Sequence, residues 1–190
     1  MSAPALHLAS SSPRRKEILR ALGLTFSAKG VEADESRLEG EPAEDMALRL
    51  AVAKARSAAI DESRIVLAAD TVVVLGERVF GKPEDCDDAI DMLEALSGHT
   101  HRVLTGVAVL AQAGIRTTLS ATEVKFREIR PDEALAYWQS GEPCDKAGAY
   151  AIQGLGGVFV EGISGSYSGV VGLPVFETVQ LLRDAGLRVL

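Results

Sequence analysis

Apolar and polar positions alternate between strand-like and helix-like patterns from one end of the chain to the other. Strand-like runs at residues 5–9, 25–29 and 78–80 predict short strands. The long β-branched run at 65–75 predicts a central strand covered on both faces. Two further strands, 102–111 and 115–126, predict a long antiparallel hairpin. Helical spacing of apolar positions predicts helices over residues 13–22, 42–60, 87–96, 131–140 and 174–184.

The order of these elements predicts an α/β fold with a mixed sheet and helices on its faces. No Ser/Pro-rich linker, low-complexity tract or internal repeat divides the sequence, so residues 1–190 are interpreted as one domain, with its core in one or two lobes. Eight of the 18 glycines lie within residues 148–172. This enrichment predicts tight turns where the backbone closely approaches another group.

The charge balance excludes one class of partner. The 20 basic and 27 acidic side chains give a net charge of -7, which disfavours broad binding to a nucleic-acid backbone. No apolar run is long enough to span a bilayer and the first residues do not resemble a signal peptide, so we expect a cytoplasmic protein without a membrane partner. Cys86 and Cys144 are expected to be reduced thiols.

A serine-rich turn that leads into a basic helix start is the first candidate site. Its sequence is Ser10-Ser11-Ser12-Pro13-Arg14-Arg15-Lys16. Amide donors and the helix dipole favour a phosphate at such a junction. Three cations in the first turn oppose that dipole, at ~0.3 to 1 kcal/mol each, and a bound polyphosphate reverses this cost. The motif predicts a phosphate site that includes Ser10, Arg14 and Arg15; a solvated basic helix end is the alternative.

Asp70 interrupts the apolar strand at 65–75 and is the second candidate. An unpaired buried carboxylate is unfavourable, so Asp70 must pair with a cation, bind a metal or accept backbone hydrogen bonds. The functional interpretation is a base or metal ligand at the floor of a cleft, and the alternative is an Asp satisfied at a bulge or strand end.

Three other segments contain residue types that bind phosphate or metal ions. Residues 76–83 match the spacing of a P-loop, but Pro83 replaces the residue that would hold Mg²⁺, so a P-loop is rejected and Lys82 is a phosphate contact or a surface lysine. Glu35 lies in an acidic loop and is either solvated or a ligand for Mg²⁺ or Mn²⁺. His99 and His101 have no third metal ligand in view and are expected on the surface.

Five segments occur together in one order: residues 8–15 (LASSSPRR), 68–73 (AADTVV), 81–83 (GKP), 96–101 (LSGHTH) and 145–154 (DKAGAYAIQG). Together they resemble the Maf family over essentially the whole chain. The resemblance implies a Maf/ITPase-like fold, in which a strongly twisted mixed sheet bears a nucleotide cleft between two lobes. It also implies a nucleoside triphosphate pyrophosphatase that releases a nucleoside monophosphate and pyrophosphate, requires a divalent cation and is a homodimer.

The resemblance also implies residue roles. Arg14, Arg15, Lys54 and Lys82 would bind the polyphosphate, and Glu35 with Asp70 would bind the metal. Asp70 would also be the general base. Arg14, Thr71 and Gln153 correspond to positions linked to substrate choice.

Residues 165–174 (GSYSGVVGLP) resemble the branch that hydrolyses dTTP and UTP. Two alternatives remain open at this stage. One is a house-cleaning enzyme for modified purine nucleotides, such as 7-methylguanosine triphosphate or ITP. The other is a nucleotide sensor or cell-division regulator that binds a nucleotide without turning it over.

Overall fold

The computed structural model describes residues 5–58 and 64–190, which form a mixed sheet with helices. The strands are β1 (Leu6–Leu8), β2 (Phe26–Ala28), β3 (Ile65–Leu75), β4 (Arg78–Phe80), β5 (Thr100–Ala111), β6 (Gly114–Phe126) and β7 (Val160–Ser164). The α-helices are α1 (Pro13–Ala21), α2 (Ala43–Ser57), α3 (Cys86–Leu96), α4 (Pro131–Gln139), α5 (Tyr167–Val171) and α6 (Val175–Asp184). Three 3₁₀ turns lie at Pro143–Asp145, Ala147–Ala149 and Leu155–Phe159.

The sheet has the strand order β2-β1-β3-β5-β6-β7, and β4 pairs with β3. β1 runs parallel to both β2 and β3, whereas β4 and β7 are antiparallel to their partners. This arrangement confirms the predicted mixed α/β class and the central position of the apolar strand.

The differences from the predicted elements lie mainly in the glycine-rich stretch. There the structure adds strand β7 and the short helix α5, and residues 155–159 form a 3₁₀ turn. Helix α2 ends at Ser57, and the predicted end at residue 60 lies outside the described residues. Within 5–58 and 64–190, no helix is both long enough and apolar enough to cross a membrane.

The chain divides into two compact units, and one of the boundaries falls inside β3, between Asp70 and Thr71. The first unit comprises the described parts of Met1–Asp70 together with Thr105–Ser120 and Gly172–Leu190. The second comprises Thr71–Leu104 and Ala121–Val171. That residues 1–190 act as a single domain stays a prediction.

Helix α2 packs on the sheet of the first unit through small side chains. Ala47, Ala51 and Ala55 are fully buried, so the helix backbone lies close to the strands. At Gly106 of β5, a Cβ atom would clash with the carbonyl of Ala47. This close approach sets the distance between α2 and β5.

The core of the second unit contains a group of aromatic side chains among aliphatic ones, and His101 packs against this group. The prediction that His101 lies on the surface is wrong, because only 1% of the residue is exposed. Its ring makes edge-to-face contacts with Phe126 and Tyr150, and its Nε2 lies 2.9 Å from the Tyr150 hydroxyl. Burial lowers the pKa of His101 to about 4. His99 is exposed, as predicted.

Candidate functional site

The start of α1 holds a fixed arginine in the first unit. Ser12 caps the helix, its hydroxyl accepting from the Arg15 N–H, and Pro13 is the first helical residue, as predicted. The buried hydroxyl of Ser10 accepts from the Ser12 N–H at 3.2 Å and from Arg15 Nη1 at 3.3 Å. Arg15 Nε donates to the Gly172 carbonyl at 2.8 Å. Arg15 therefore has a defined orientation before any anion binds.

Lys54 links the two predicted metal ligands. Its Nζ lies 2.6 Å from Glu35 Oε1 and 2.6 Å from Asp70 Oδ1. Lys54 reaches them from α2, Asp70 lies at the end of the β3 segment in the first unit, and Glu35 lies in the acidic loop. Half of the Glu35 side chain is exposed, whereas that of Asp70 is 11% exposed.

The pKa of Asp70 is higher than that of an ordinary aspartate. Burial raises it, and the neighbouring ammonium of Lys54 and guanidinium of Arg15 oppose the rise only in part. Burial also lowers the pKa of Arg15, although Asp70 opposes this shift, and an arginine stays protonated at neutral pH in any case. The first unit thus contains a raised-pKa carboxylate among cations, an arrangement typical of functional sites.

Glu35 and Asp70 have the donor chemistry of ligands for a divalent cation. The carboxylates of Glu35 and Asp70 converge on one positively charged nitrogen, and carboxylate oxygens are the ligands that Mg²⁺ prefers. In the part of the chain that the structure describes, no group of three or more His, Cys, Asp or Glu side chains could hold a metal ion. A cation at Glu35 and Asp70 would therefore depend on water or substrate oxygens for its other ligands.

The loop that contains Glu35 is fixed by an ion pair between a buried carboxylate and a partly exposed arginine, which the sequence analysis missed. Glu41 is 9% exposed, and both of its carboxylate oxygens accept from Arg49 of α2, at 2.5 and 2.8 Å. Arg49 also donates to the Ser36 carbonyl at 2.9 Å, next to Glu35. The spacing of eight residues between a loop carboxylate and a helix arginine gave no recognisable motif.

Of the remaining predicted residues, Arg14 is partly buried on α1 of the first unit, and three belong to the second unit. Thr71 is partly buried on β3, Lys82 is exposed after β4, and Gln153 is exposed in the glycine-rich stretch. Residues 151–157, which we call the Gln153 segment, contain no strand. The backbone of this segment hydrogen-bonds to Tyr137 and Glu142, two side chains that sequence reasoning also missed. The substrate contacts assigned to Arg14, Thr71, Lys82 and Gln153 stay predictions.

Comparison of the sequence with a family model and with curated relatives gives one consistent result. A family model described as "Maf-like protein" matches residues 5–185. A dTTP/UTP pyrophosphatase from Hahella chejuensis is 50% identical over 97% of this chain and 94% of its own length. Relatives with the same name are 54% identical in Anaeromyxobacter dehalogenans and 50% identical in Pseudoalteromonas atlantica, covering 97% and 96% of this chain and 95% and 97% of their own.

A solved structure is a more distant match. It is the nucleoside-triphosphatase / dITP/XTP pyrophosphatase from Mycobacterium abscessus, which is 15% identical with a TM-score of 0.40. The match covers 66% of this chain and 75% of that one. A likeness this distant does not bear on the choice of nucleotide.

Proposed function

The chain belongs to the Maf family, and we propose that it hydrolyses dTTP and UTP to the nucleoside monophosphate and pyrophosphate. The three relatives described above are named for that activity. They support a pyrimidine nucleotide as substrate over the modified purine nucleotides that were the first alternative.

One observation supports an enzyme rather than a nucleotide sensor: the buried carboxylate of Asp70, with its raised pKa, lies beside Lys54 and Arg15. A site that only binds a triphosphate gains nothing from a carboxylate, because like charges repel. A hydrolase needs such a group, because water that attacks the α-phosphorus must be oriented and deprotonated.

The candidate site residues of the first unit have distinct roles in the proposed reaction. Asp70 accepts the proton of the attacking water. Arg15, fixed by Ser10 and the Gly172 carbonyl, stabilises negative charge on the phosphate oxygens without reorganising, and Arg14 adds a second guanidinium. Lys54 holds the Asp70 carboxylate in place and is itself close enough to the site to contact phosphate.

A divalent cation, Mg²⁺ or Mn²⁺, belongs to the same proposal. Glu35 and Asp70 would hold it, and a cation there would offset charge on the pyrophosphate leaving group. Its support is the family resemblance and the convergence of the two carboxylates. A cytoplasmic location and a homodimeric state are also proposed, from the sequence composition and the family resemblance respectively.

In the second unit, Lys82 is proposed as a further phosphate contact, and Gln153 and Thr71 as contacts to the base. Their side chains offer the donor and acceptor groups that a uracil or thymine edge requires. A pocket built on such hydrogen bonds rejects purines, because a mismatched base leaves polar groups unpaired.

The test is a panel of canonical and modified nucleoside triphosphates with Mg²⁺ or Mn²⁺, in which pyrophosphate and orthophosphate are measured separately. We expect dTTP and UTP to give the highest kcat/KM, pyrophosphate to be the first product and EDTA to abolish turnover. Orthophosphate as the first product would contradict the reaction. A higher kcat/KM for ITP, GTP or 7-methylguanosine triphosphate would contradict the substrate class.

A further inference from the structure

The Gln153 segment of the second unit is attached to α4 by a pair of polar side chains. The Tyr137 hydroxyl, at the end of that helix, donates to Glu142 Oε1 at 2.7 Å and accepts from the Ala151 N–H at 3.0 Å. The Glu142 carboxylate accepts from the N–H groups of Leu155 and Gly156, both at 3.0 Å. Three amides, on both sides of Gln153, thus bond to this one pair.

The sequence of the segment is adapted to the same pair. A Cβ atom at Gly154 would collide with the Glu142 carboxylate, and one at Gly156 would lie 2.5 Å from the Tyr137 hydroxyl oxygen. Neither glycine requires a positive φ angle, so close approach rather than backbone conformation explains them. The glycines let the backbone amides reach the two side chains.

Tyr137 is buried in the core of the second unit, and Glu142 is partly buried. Tyr137 is 5% exposed, and its ring packs edge-to-face on Phe159 at 5.2 Å between centroids. Burial raises the pKa of Glu142, but hydrogen bonds from Gly156, Tyr137 and Leu155 outweigh it and lower the pKa overall. Glu142 is therefore an acceptor at neutral pH, and hydrogen bonds to an ionised acceptor are among the stronger ones.

We propose that Tyr137 and Glu142 are positioning residues that fix Gln153 and thereby set the preference for pyrimidine over purine nucleotides. Gln153 is two residues from Ala151 and two from Leu155, so anchoring these amides limits where its side chain can be. A specificity group held in place loses less conformational freedom when the base binds. This inference rests on the proposed function, in which Gln153 contacts the base.

The experiment compares Tyr137→Phe and Glu142→Gln with the unchanged protein, using kcat and KM for dTTP, UTP and GTP. Tyr137→Phe keeps the ring on Phe159 and removes only the hydroxyl, so folding is expected to survive even where Glu142→Gln folds poorly. We expect KM for dTTP to rise roughly 10-fold, the effect of losing a hydrogen bond to a charged group, with kcat within about twofold. The ratio of kcat/KM for dTTP to that for GTP should fall.

Tyr150→Phe is the matched control. Tyr150 is equally buried in the same core, and its hydroxyl pairs with His101 rather than with the amides of the Gln153 segment. This variant loses a buried hydrogen bond and should keep the nucleotide ratio unchanged. An equal loss of the ratio in Tyr150→Phe would show a general loosening of the core and would overturn the positioning role.

Two further measurements separate the inference from the proposed function. In a Gln153→Ala background, Glu142→Gln should change the nucleotide ratio no further, and an additive effect would overturn action through Gln153. Amide hydrogen exchange without nucleotide should show that Leu155 and Gly156 lose protection in Glu142→Gln. Unchanged protection would overturn the inference alone, whereas an unchanged protein that does not hydrolyse dTTP or UTP would overturn the proposed function.

Discussion

The carboxylates of Asp70 in the first unit and Glu142 in the second are both at least partly buried, yet their pKa values shift in opposite directions. Burial dominates at Asp70 and raises its pKa, although two cations lie nearby. At Glu142 two backbone N–H groups and a tyrosine hydroxyl outweigh burial and lower it. Burial and donors both differ: the Asp70 side chain is 11% exposed, whereas Glu142 is only partly buried and accepts from two backbone amides as well as a hydroxyl.

This difference separates a chemical role from a positioning role. A carboxylate held by backbone amides is stable as an ion and poor at accepting a proton. A carboxylate with a raised pKa is a better base, because it binds a proton more readily. Its ionised form is stabilised by neighbouring cations, and a phosphate substrate can bind to the same cations. Substitutions at the two residues should therefore have different consequences, and the predictions that follow test this from the largest expected effect to the smallest.

Asp70→Asn should have the largest effect on turnover. Asparagine is nearly isosteric but cannot accept a proton at neutral pH, so kcat for dTTP should fall about 10²-fold or more. Binding should change far less, because Arg14, Arg15 and Lys82 are expected to hold the triphosphate. Steady-state kinetics and nucleotide titration measure the two quantities.

The pH dependence of the same variant provides the control. The unchanged protein should lose activity on its acidic side as Asp70 is protonated. Asp70→Asn should lack this acidic limb. Near-normal turnover with an unchanged pH profile would show that another carboxylate, with Glu35 as the first candidate, is the base.

Arg15→Ala should weaken transition-state stabilisation by about 2 to 4 kcal/mol, the range for removing one preorganised electrostatic contact. Arg14→Ala is expected to fall in the same range. The measurement is kcat/KM for dTTP and UTP. Kinetics within twofold of the unchanged protein for both variants would make the basic helix start a solvated feature.

Acid should destabilise the second unit through His101 rather than through Glu142. Because the pKa of His101 is lowered from 6.5 to about 4 in the fold, the unfolded chain binds its proton first. The associated stability is present above pH 6.5 and is lost as the pH falls from 6.5 to about 4. This amounts to about 2 kcal/mol between pH 7 and pH 5.

Urea unfolding at pH 7 and pH 5 measures the loss, with His101→Gln as the comparison because glutamine can still pair with Tyr150 but does not titrate. The variant should lose much less stability between the two values. Glu142 has a lowered pKa, so its contribution disappears only below the ordinary carboxyl range. If His101→Gln and the unchanged protein lost the same unfolding free energy between pH 7 and pH 5, groups other than His101 would be responsible.

The smallest effect is on stability at Asp70. A raised pKa means that its contribution to stability is present below the unfolded value and is lost as the pH rises through the folded one. At pH 7 the ionised group is unfavourable to the fold, so Asp70→Asn should leave the free energy of unfolding unchanged or raise it by up to about 1 kcal/mol. Glu142→Gln should instead lower it by about 1 to 3 kcal/mol. A larger loss of unfolding free energy in Asp70→Asn than in Glu142→Gln, measured by denaturant unfolding, would contradict the distinction between the two carboxylates.

Local patterns in the sequence predict most of the fold. The strand at residues 65–75 and the helix start at Ser12 and Pro13 depend on periodicity and capping within one element, and both agree with the structure. The helix α5 has only five residues, too few for a periodic signal. His101 was misassigned because strand alternation does not say which face is covered, and its partner Tyr150 lies 49 residues away.

In the candidate site, too, local sequence patterns predict single residues but not their partners in the fold. The apolar surroundings of Asp70 require a partner, but only the fold shows that Lys54, 16 residues earlier, supplies the nearest cation. The Tyr137 and Glu142 pair went unrecognised because its acceptors meet amides up to 14 residues away. The glycines of the Gln153 segment signalled a close approach, and the approaching groups became visible only in three dimensions.

Gly106 has no functional group, yet it influences the distance between the Lys54 ammonium and Asp70. Its missing side chain lets the Ala47 turn of α2 rest directly on β5, and Lys54 lies two helical turns further along the same helix, or about 10 Å. A single methyl group at Gly106 would lift that helix and draw Lys54 away from Asp70. The electrostatics of the candidate site therefore depend partly on the distance between α2 and β5, at a position where only a hydrogen atom fits.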